Sequence, residues 1–329
     1  MNSNSSIQAE ERLLRVSPSP HIHTPVTMNR IMCDVVIALL PAVAAAGIIF
    51  GLRALLLIAV TVLAAVLAEA AVQKIRKQPV TTNDFTAIIT GILLAFNLPA
   101  TFPLWKAALA AVFAIVVAKQ LFGGLGRNFI NPALAGRAFL MASWPGDLSK
   151  LPWPFGVMPA ETSGAADVIS AATPLSGGPV PSLFDMFIGN MPGMLGEVSA
   201  LALLIGAAFL LWRGVISLRI PLGMILSFVV FTSIFGLAEG NFDPTTLPQQ
   251  VLSGGLILGA FFMATDYSTS PMSNKGQYIY AIGAGLLTAL IRHFGGMPEG
   301  VSYSILLMNV ATPLIDKYVV NKPFGGETR

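Results

Sequence analysis

Charge and cysteine are scarce in this sequence. Of its 329 residues only 11% are Asp, Glu, Lys or Arg, against about 25% in ordinary soluble domains. With 54% hydrophobic residues and a mean hydropathy of +0.74, this scarcity excludes a soluble globular domain and marks an integral membrane protein. A single cysteine, Cys33, excludes an internal disulfide, and three histidines leave no Cys/His set for zinc or an iron–sulfur cluster. Any redox centre is therefore organic or belongs to a partner. No GxGxxG stands between a strand and a helix to bind a dinucleotide. The net charge of +3 would suggest nucleic acid in a soluble chain, but here the basic residues fall in short loops between apolar runs. That is a topology signal, and no nucleic-acid partner is expected.

Apolar runs suited to spanning occur at about 31–50, 54–73, 104–121, 196–212, 215–237, 277–293 and 300–320. Shorter runs at 85–98, 131–144 and 249–265 are bounded or interrupted by Gly or Pro and read as broken helices. The expectation is an all-α membrane protein of ten transmembrane helices. The first 30 residues are polar and include Glu10, Glu11, Arg12, Arg15 and Arg30, so the first run begins too late for a cleaved signal peptide and reads as a retained span. Placing both termini in the cytoplasm puts fourteen of the nineteen basic residues inside and leaves Arg53, Lys106, Lys150 and Arg292 outside, with Arg137 within a span. The loop 145–195 faces outward, with Asp147, Glu161, Asp167 and Asp185 against Lys150 alone. The chain divides into a cytoplasmic segment 1–30, spans 31–144, the extracytoplasmic loop 145–195, spans 196–320 and a tail 321–329. Gly91-Ile92-Leu93-Leu94-Ala95 is echoed by Gly255-Leu256-Ile257-Leu258-Gly259, and Phe122-Gly123-Gly124 by Phe294-Gly295-Gly296. Five spans per half would make the halves inverted five-helix repeats.

Within the outward loop lies Asp167-Val168-Ile169-Ser170-Ala171-Ala172-Thr173. Pro174 keeps Thr173 extended and its hydroxyl exposed, and Asp167 and Ser170 share a face of any short helix before it. Two readings stand: an acceptor hydroxyl recognised by an enzyme in trans, or a short helix capped by Asp167. No His or Lys stands nearby to activate the threonine, which argues against self-modification.

Further stretches carry a family likeness: Ser17-Pro18-Ser19-Pro20-His21, Lys119-Gln120-Leu121-Phe122-Gly123-Gly124-Leu125-Gly126, Asn131-Pro132-Ala133, Gly136-Arg137, Thr265-Asp266, Gly295-Gly296, Pro298-Glu299-Gly300, Leu307-Met308-Asn309 and Pro313-Leu314-Ile315-Asp316. From about Ser17 to Phe324 the chain resembles the D subunits of Rnf-type ion-translocating electron-transport complexes. More distantly it resembles the homologous B subunits of the sodium-translocating NADH:quinone reductase, and its short N-terminal segment favours the Rnf side. In this family the flavin acceptor reads Asp-x-x-Ser/Thr-Gly/Ala-Ala-Thr, matched by Asp167, Ser170, Ala171, Ala172 and Thr173. The resemblance implies FMN joined through its phosphate to the Thr173 oxygen by a separate flavin transferase. It also implies a place in the bacterial cytoplasmic (inner) membrane, assembly with A, B, C, E and G subunits, ferredoxin and NAD as donor and acceptor of the whole complex, electron transfer coupled to Na⁺ or H⁺, and room for a second, non-covalent flavin such as riboflavin. As one subunit of a redox-driven translocase, the chain is not expected to turn over alone. A secondary transporter or channel, or a purely structural membrane subunit, is the competing expectation.

Ionisable residues inside spans are the other candidates. A buried Arg137 needs an acceptor, which a flavin phosphate, a carbonyl or a carboxylate could supply. Asn131-Pro132 has helix-start chemistry, so capping competes with cofactor binding there. Asp34, Glu69 and Asp266 are candidates for an ion path or the second flavin, with interfacial solvation as the plainer reading for Asp34 and Glu69. Trp144, Trp153, Phe155, Phe184 and Phe187 near the loop could pack on a flavin ring or form an interfacial belt. Cys33 reads as a small apolar residue, and His21 with His23 supplies too few ligands to define a metal site.

Overall fold

The computed structural model describes residues 27–156, 181–240, 242–295 and 300–320. The helices are α1 Met28–Phe50, α2 Leu52–Ile75, α3 Thr86–Phe96, α4 Leu104–Phe113, α5 Pro132–Ser143, α6 Pro145–Leu148, α7 Leu183–Ile188, α8 Ala200–Trp212, α9 Arg219–Ala238, α10 Thr246–Leu252, α11 Leu256–Leu258, α12 Asn274–Phe294 and α13 Val301–Tyr318. Two π-helical stretches, Ala114–Gln120 and Gly259–Met263, continue α4 and α11.

The expectation of ten transmembrane helices in two inverted five-helix repeats is corrected. Among the described residues three helices, α1, α2 and α9, are long and apolar enough to cross a membrane, or up to four if α10 and α11 with its π-helical stretch, bent by 59°, form one broken span. The reason is physical. A 30 Å hydrocarbon layer needs about 20 helical residues, whereas the runs at 85–98, 131–144 and 196–212 fold into helices of 11, 12 and 13 residues. The run at 104–121 divides after Phe113 where the helix widens. α12 and α13 have the length, at 21 and 18 residues, but carry Lys275, Arg292 and His293, and Asn309, Asp316 and Lys317, respectively. The echoed blocks also fold differently. Gly91 to Ala95 sits inside uninterrupted α3, while Gly255 is left-handed and opens a three-residue helix. Phe122 to Gly124 forms a turn, whereas Phe294 and Gly295 terminate α12.

Short helices ending inside a low-dielectric interior leave backbone groups that water cannot satisfy, so they require caps. Asn131 Oδ1 accepts from the Ala133 and Leu134 amides at the start of α5, at 3.0 and 3.4 Å. Ser199 caps α8, and Asn97 Nδ2 donates to the Leu93 carbonyl at the end of α3 at 2.6 Å. Arg292 donates to the carbonyls of Gln250, Ser253 and Gly254 at the end of α10, at 2.6, 3.0 and 3.0 Å. Residues 191–199, between α7 and α8, are buried without helical structure. The Leu195 and Gly196 amides of this segment donate to the Leu98 and Phe96 carbonyls at 3.0 and 2.9 Å.

α9 and α12 run parallel, as contacts from Arg219–Gln277 to Glu239–His293 demonstrate. They approach closely because Gly285 faces the Met224 carbonyl, where a Cβ would stand only 2.5 Å away. One end of the molecule carries the starts of α1, α9 and α12 and the end of α8, tied by Asp34–Arg213 and Arg219–Gln277. The opposite end carries the start of α2, α6 and the end of α12, where Arg53 donates to the Phe102 carbonyl at 3.4 Å.

Candidate functional site

The expected flavin-acceptor sequence, with Asp167, Ser170, Ala172 and Thr173, lies outside the described residues. Both of its flanks are described. On the leading side, Asp147 of α6 pairs with Lys106 of α4 and lies 3.0 Å from Lys150 Nζ. Hydrogen bonds from Lys106 and then Lys150 hold its carboxyl below the usual carboxylate range. Lys106 Nζ sits 5.4 Å and 5.1 Å from the rings of Trp105 and Trp144, within cation–π range. Thr101 Oγ1 fixes the Lys150 carbonyl at 2.8 Å. On the trailing side, Ser182 caps α7 and donates to Asp185 at 2.6 Å, with Asn190 donating at 3.2 Å. Those bonds, Ser182 first, lower the Asp185 carboxyl. Of the flanking aromatics, Phe155 and Phe184 are exposed, while Trp144 and Phe187 pack against the core.

Arg137 is buried at the centre. Its Nη1 donates to Asn97 Oδ1 at 2.6 Å and lies 3.7 Å from Glu197 Oε1. Glu197 belongs to the buried segment after α7 and shares electrostatic contact with Arg292. At the break between α10 and α11, Gly255 has φ +69°, and a Cβ there would stand 2.6 Å from Glu197 Oε1. Only glycine meets both conditions without strain. One carboxylate thus binds α5, the trailing flank of the loop and the broken helix into a single charge cluster. Removing one member of such a buried pair typically costs about 3–5 kcal/mol.

A second polar cluster lies toward the Met28 end. Glu69 of α2 stands 2.7 Å from Lys119 Nζ and accepts from Gln120 Nε2 at 2.7 Å, and Lys119 donates to Thr86 Oγ1 at 2.6 Å. Lys119 and Gln120 are consecutive, which in an α-helix would point them about 100° apart. The widened turn of Ala114–Gln120 brings both onto Glu69. The other π-helical stretch ends at Met263, whose carbonyl accepts from Asn131 Nδ2 at 3.4 Å. Three residues on, Asp266 accepts from the Ser268 amide at 3.3 Å and from Thr269 Oγ1 at 3.2 Å. Between these elements lies a cavity of about 100 Å³, lined by Thr86, Thr90, Lys119, Asn131 and Asp266 on its polar side and Leu93, Phe261 and Phe262 on its apolar side. It has room for several water molecules.

The structure thus brings Asn131, Asp266 and the Glu69 partner Lys119 to one cavity and places Arg137 in a separate cluster. Asp34 is elsewhere, in a bidentate pair with Arg213 at 2.9–3.2 Å that ties α1 to α8. Sequence reasoning missed Glu197, Asn97, Lys119 and Arg292 as members of these clusters. A usable signal existed for Glu197, the only acidic residue between Asp185 and Glu239, standing at the mouth of an apolar run.

A profile of the NQR2, RnfD, RnfE family matches residues 15–325. The chain is 50% identical over 320 residues to the D subunit of the Na(+)-translocating ferredoxin:NAD(+) oxidoreductase complex of Acetobacterium woodii, covering 95% of each. It is 40% identical to the D subunit of the proton-translocating ferredoxin:NAD(+) oxidoreductase complex of Clostridium ljungdahlii, covering 97% of this chain and 98% of the relative. Its identity to the D subunit of the ion-translocating oxidoreductase complex of Salmonella newport is 36%, over 95% of this chain and 99% of that one.

Proposed function

The chain belongs to the NQR2, RnfD, RnfE family and is a membrane subunit of an ion-translocating oxidoreductase complex; from that premise we propose that it relays electrons through FMN carried on Thr173 and couples the transfer to Na⁺ or H⁺ movement. The pattern Asp167-x-x-Ser170-Ala171-Ala172-Thr173-Pro174 carries the proposal. It supplies a hydroxyl to which a separate flavin transferase would transfer the FMN phosphoryl group from a dinucleotide donor, the ester on threonine forming as the donor's pyrophosphate bond breaks. When bound, the flavin supplies reversible electron transfer, which none of the described side chains can provide. The chain's part is to hold and position it. The Lys106–Asp147–Lys150 cluster and the Ser182–Asp185–Asn190 cap anchor the two stems of the loop that bears the acceptor. A tether keeps the cofactor at high local concentration on a face open to a dilute exterior.

Charge placement supports that orientation. Arg30, Lys74, Arg76, Lys77, Arg213, Arg219 and Lys275 gather at the Met28 end, while Arg53, Lys106, Lys150 and Arg292 lie toward the other. By the positive-inside rule the Met28 end is cytoplasmic and the acceptor loop extracytoplasmic. Thr86, Thr90, Asn131 and Asp266, with the Phe261 and Phe262 walls, would offer polar contacts and apolar surface to one edge of a second, non-covalent flavin such as riboflavin, the cavity being too small to enclose the whole ring. Glu69–Lys119 and Asp266 would then border the route of the coupled ion. Relatives named for each ion exist in the family, so the proposal covers both. Ferredoxin and NAD would be bound elsewhere in the assembly, whose expected other members are the A, B, C, E and G subunits.

Ultraviolet fluorescence of the chain on a denaturing gel tests the acceptor. From cells containing a flavin transferase, the wild-type band is expected to fluoresce and the Thr173→Ala band to be dark. A dark wild-type band would remove the relay.

A further inference from the structure

Between α9 and α12, on the side away from the core, an open groove runs along the molecule from Arg219 past Leu222, Leu226, Val230, Phe231, Tyr278 and Ile282. Leu222, Leu226, Val230, Tyr278 and Ile282 are all about half exposed. The polar lining sits at one end, with Ser217 and Arg219 at the start of α9 and Tyr278 on α12, and Lys275 stands one turn before Tyr278 in the first turn of α12. Arg219 is held by Gln277 Oε1 at 3.4 Å, and among the described residues neither Arg219 nor Lys275 has a carboxylate within ion-pair distance. Beyond that end the walls are aliphatic and aromatic. The one hydroxyl along them, Ser227, is turned inward and donates to the Met224 and Ala281 carbonyls at 3.1 and 3.4 Å.

We propose that this groove binds an anionic phospholipid, its phosphate on Arg219 and Lys275 and one acyl chain along the leucine and valine wall toward Phe231. Two observations select a lipid over a helix of another subunit. Helices associate in bilayers through small residues that let backbones approach, and the small residues here, Gly223, Ser227, Ala281 and Gly285, are already consumed between α9 and α12. Beyond the Arg219 end, what remains outward is flexible and bulky, with no hydrogen-bonding group to fix a register. The pairing of cationic end and apolar trough matches an amphiphile, and basic pockets between membrane helices on the cytoplasmic side favour anionic head groups. The end in question is the one that the other basic residues share.

Native mass spectrometry of the detergent-solubilised complex, exchanged with phosphatidylglycerol or phosphatidylcholine, reads the site directly and requires no flavin, so it stands apart from the Thr173 test. Wild type is expected to retain phosphatidylglycerol in preference to phosphatidylcholine. Arg219→Gln should lower phosphatidylglycerol retention about fivefold, the effect of one basic residue near the surface, while Arg219→Lys preserves it. Leu226→Trp, on an exposed position, should block the trough and lower retention of both lipids. Equal retention of the two lipids with no effect of Arg219→Gln would overturn the proposal. So would loss of a neighbouring subunit from the Leu226→Trp complex at unchanged lipid count, which would assign the groove to a protein partner.

Discussion

Glu197 illustrates how much a single side chain can hold. It stands 3.7 Å from Arg137, in electrostatic contact with Arg292, and tight against left-handed Gly255. Replacing it by Gln keeps the shape but removes the carboxylate charge that faces the buried guanidinium groups of Arg137 and Arg292. Glu197→Gln is therefore expected to destabilise the assembled complex by about 3–5 kcal/mol, read as a lower unfolding midpoint in denaturant. The partner variant Arg137→Met should be destabilising too, and the double variant less so than the two added together, because it removes both charges. Strict additivity would show that the pair does not couple. Arg137 was visible in the sequence as a charge inside an apolar run, and its need for an acceptor followed from desolvation alone. Which acceptor it finds did not, since Asn97 and Glu197 lie 40 and 60 positions away in opposite directions.

At the scale of elements, the widened turn after α4 decides whether Lys119 reaches Glu69. A π-helical stretch is an α-helix with an extra residue accommodated, so deleting one residue should restore the α pitch, in which the consecutive side chains of Lys119 and Gln120 diverge by about 100°. Deletion of Val117, a half-exposed residue within the stretch, should separate Glu69 from Lys119. The measurable result is loss of coupling in a Glu69→Gln/Lys119→Met double-mutant cycle on the deletion background, where the parent shows a clear interaction energy. Persistent coupling would mean that the helix end repacks without the extra residue. Hydropathy marks this region only as an apolar run from 104 to 121. It cannot register a change of pitch, because the extra residue is apolar like its neighbours. The same blindness produced the expectation of ten spans: apolar runs measure composition, whereas spanning depends on the uninterrupted length of helix, and α3, α5 and α8 stop at 11, 12 and 13 residues.

The whole molecule is polarised. Among the described residues basic side chains collect at the Met28 end, and both stems of the loop proposed to carry the flavin are anchored at the other. In a Cys33→Ser background, a membrane-impermeant maleimide applied to intact cells should label Lys150→Cys, whose native side chain is 62% exposed, and spare Lys275→Cys until the membrane is permeabilised. Labelling in the reverse order would invert the orientation and put the Thr173 loop in the cytoplasm. This polarity was legible in the sequence because it depends on where Lys and Arg fall along the chain, which requires no knowledge of packing.

By itself the sequence determined the membrane class, the family likeness and the asymmetry of charge, and it supplied the pattern on which the proposal for Thr173 rests, all of which are properties of composition and local order. Tertiary structure alone decided which helices are long enough to cross a bilayer, that Glu197 answers Arg137, that Asp34 is tied to Arg213 instead of joining Glu69 and Asp266, and that a trough opens between α9 and α12. Those outcomes depend on helix pitch, on caps supplied from distant segments and on small residues permitting close approach. Each is a relation between parts of the chain far apart in order and near in space, and a linear pattern does not contain the distances that create it.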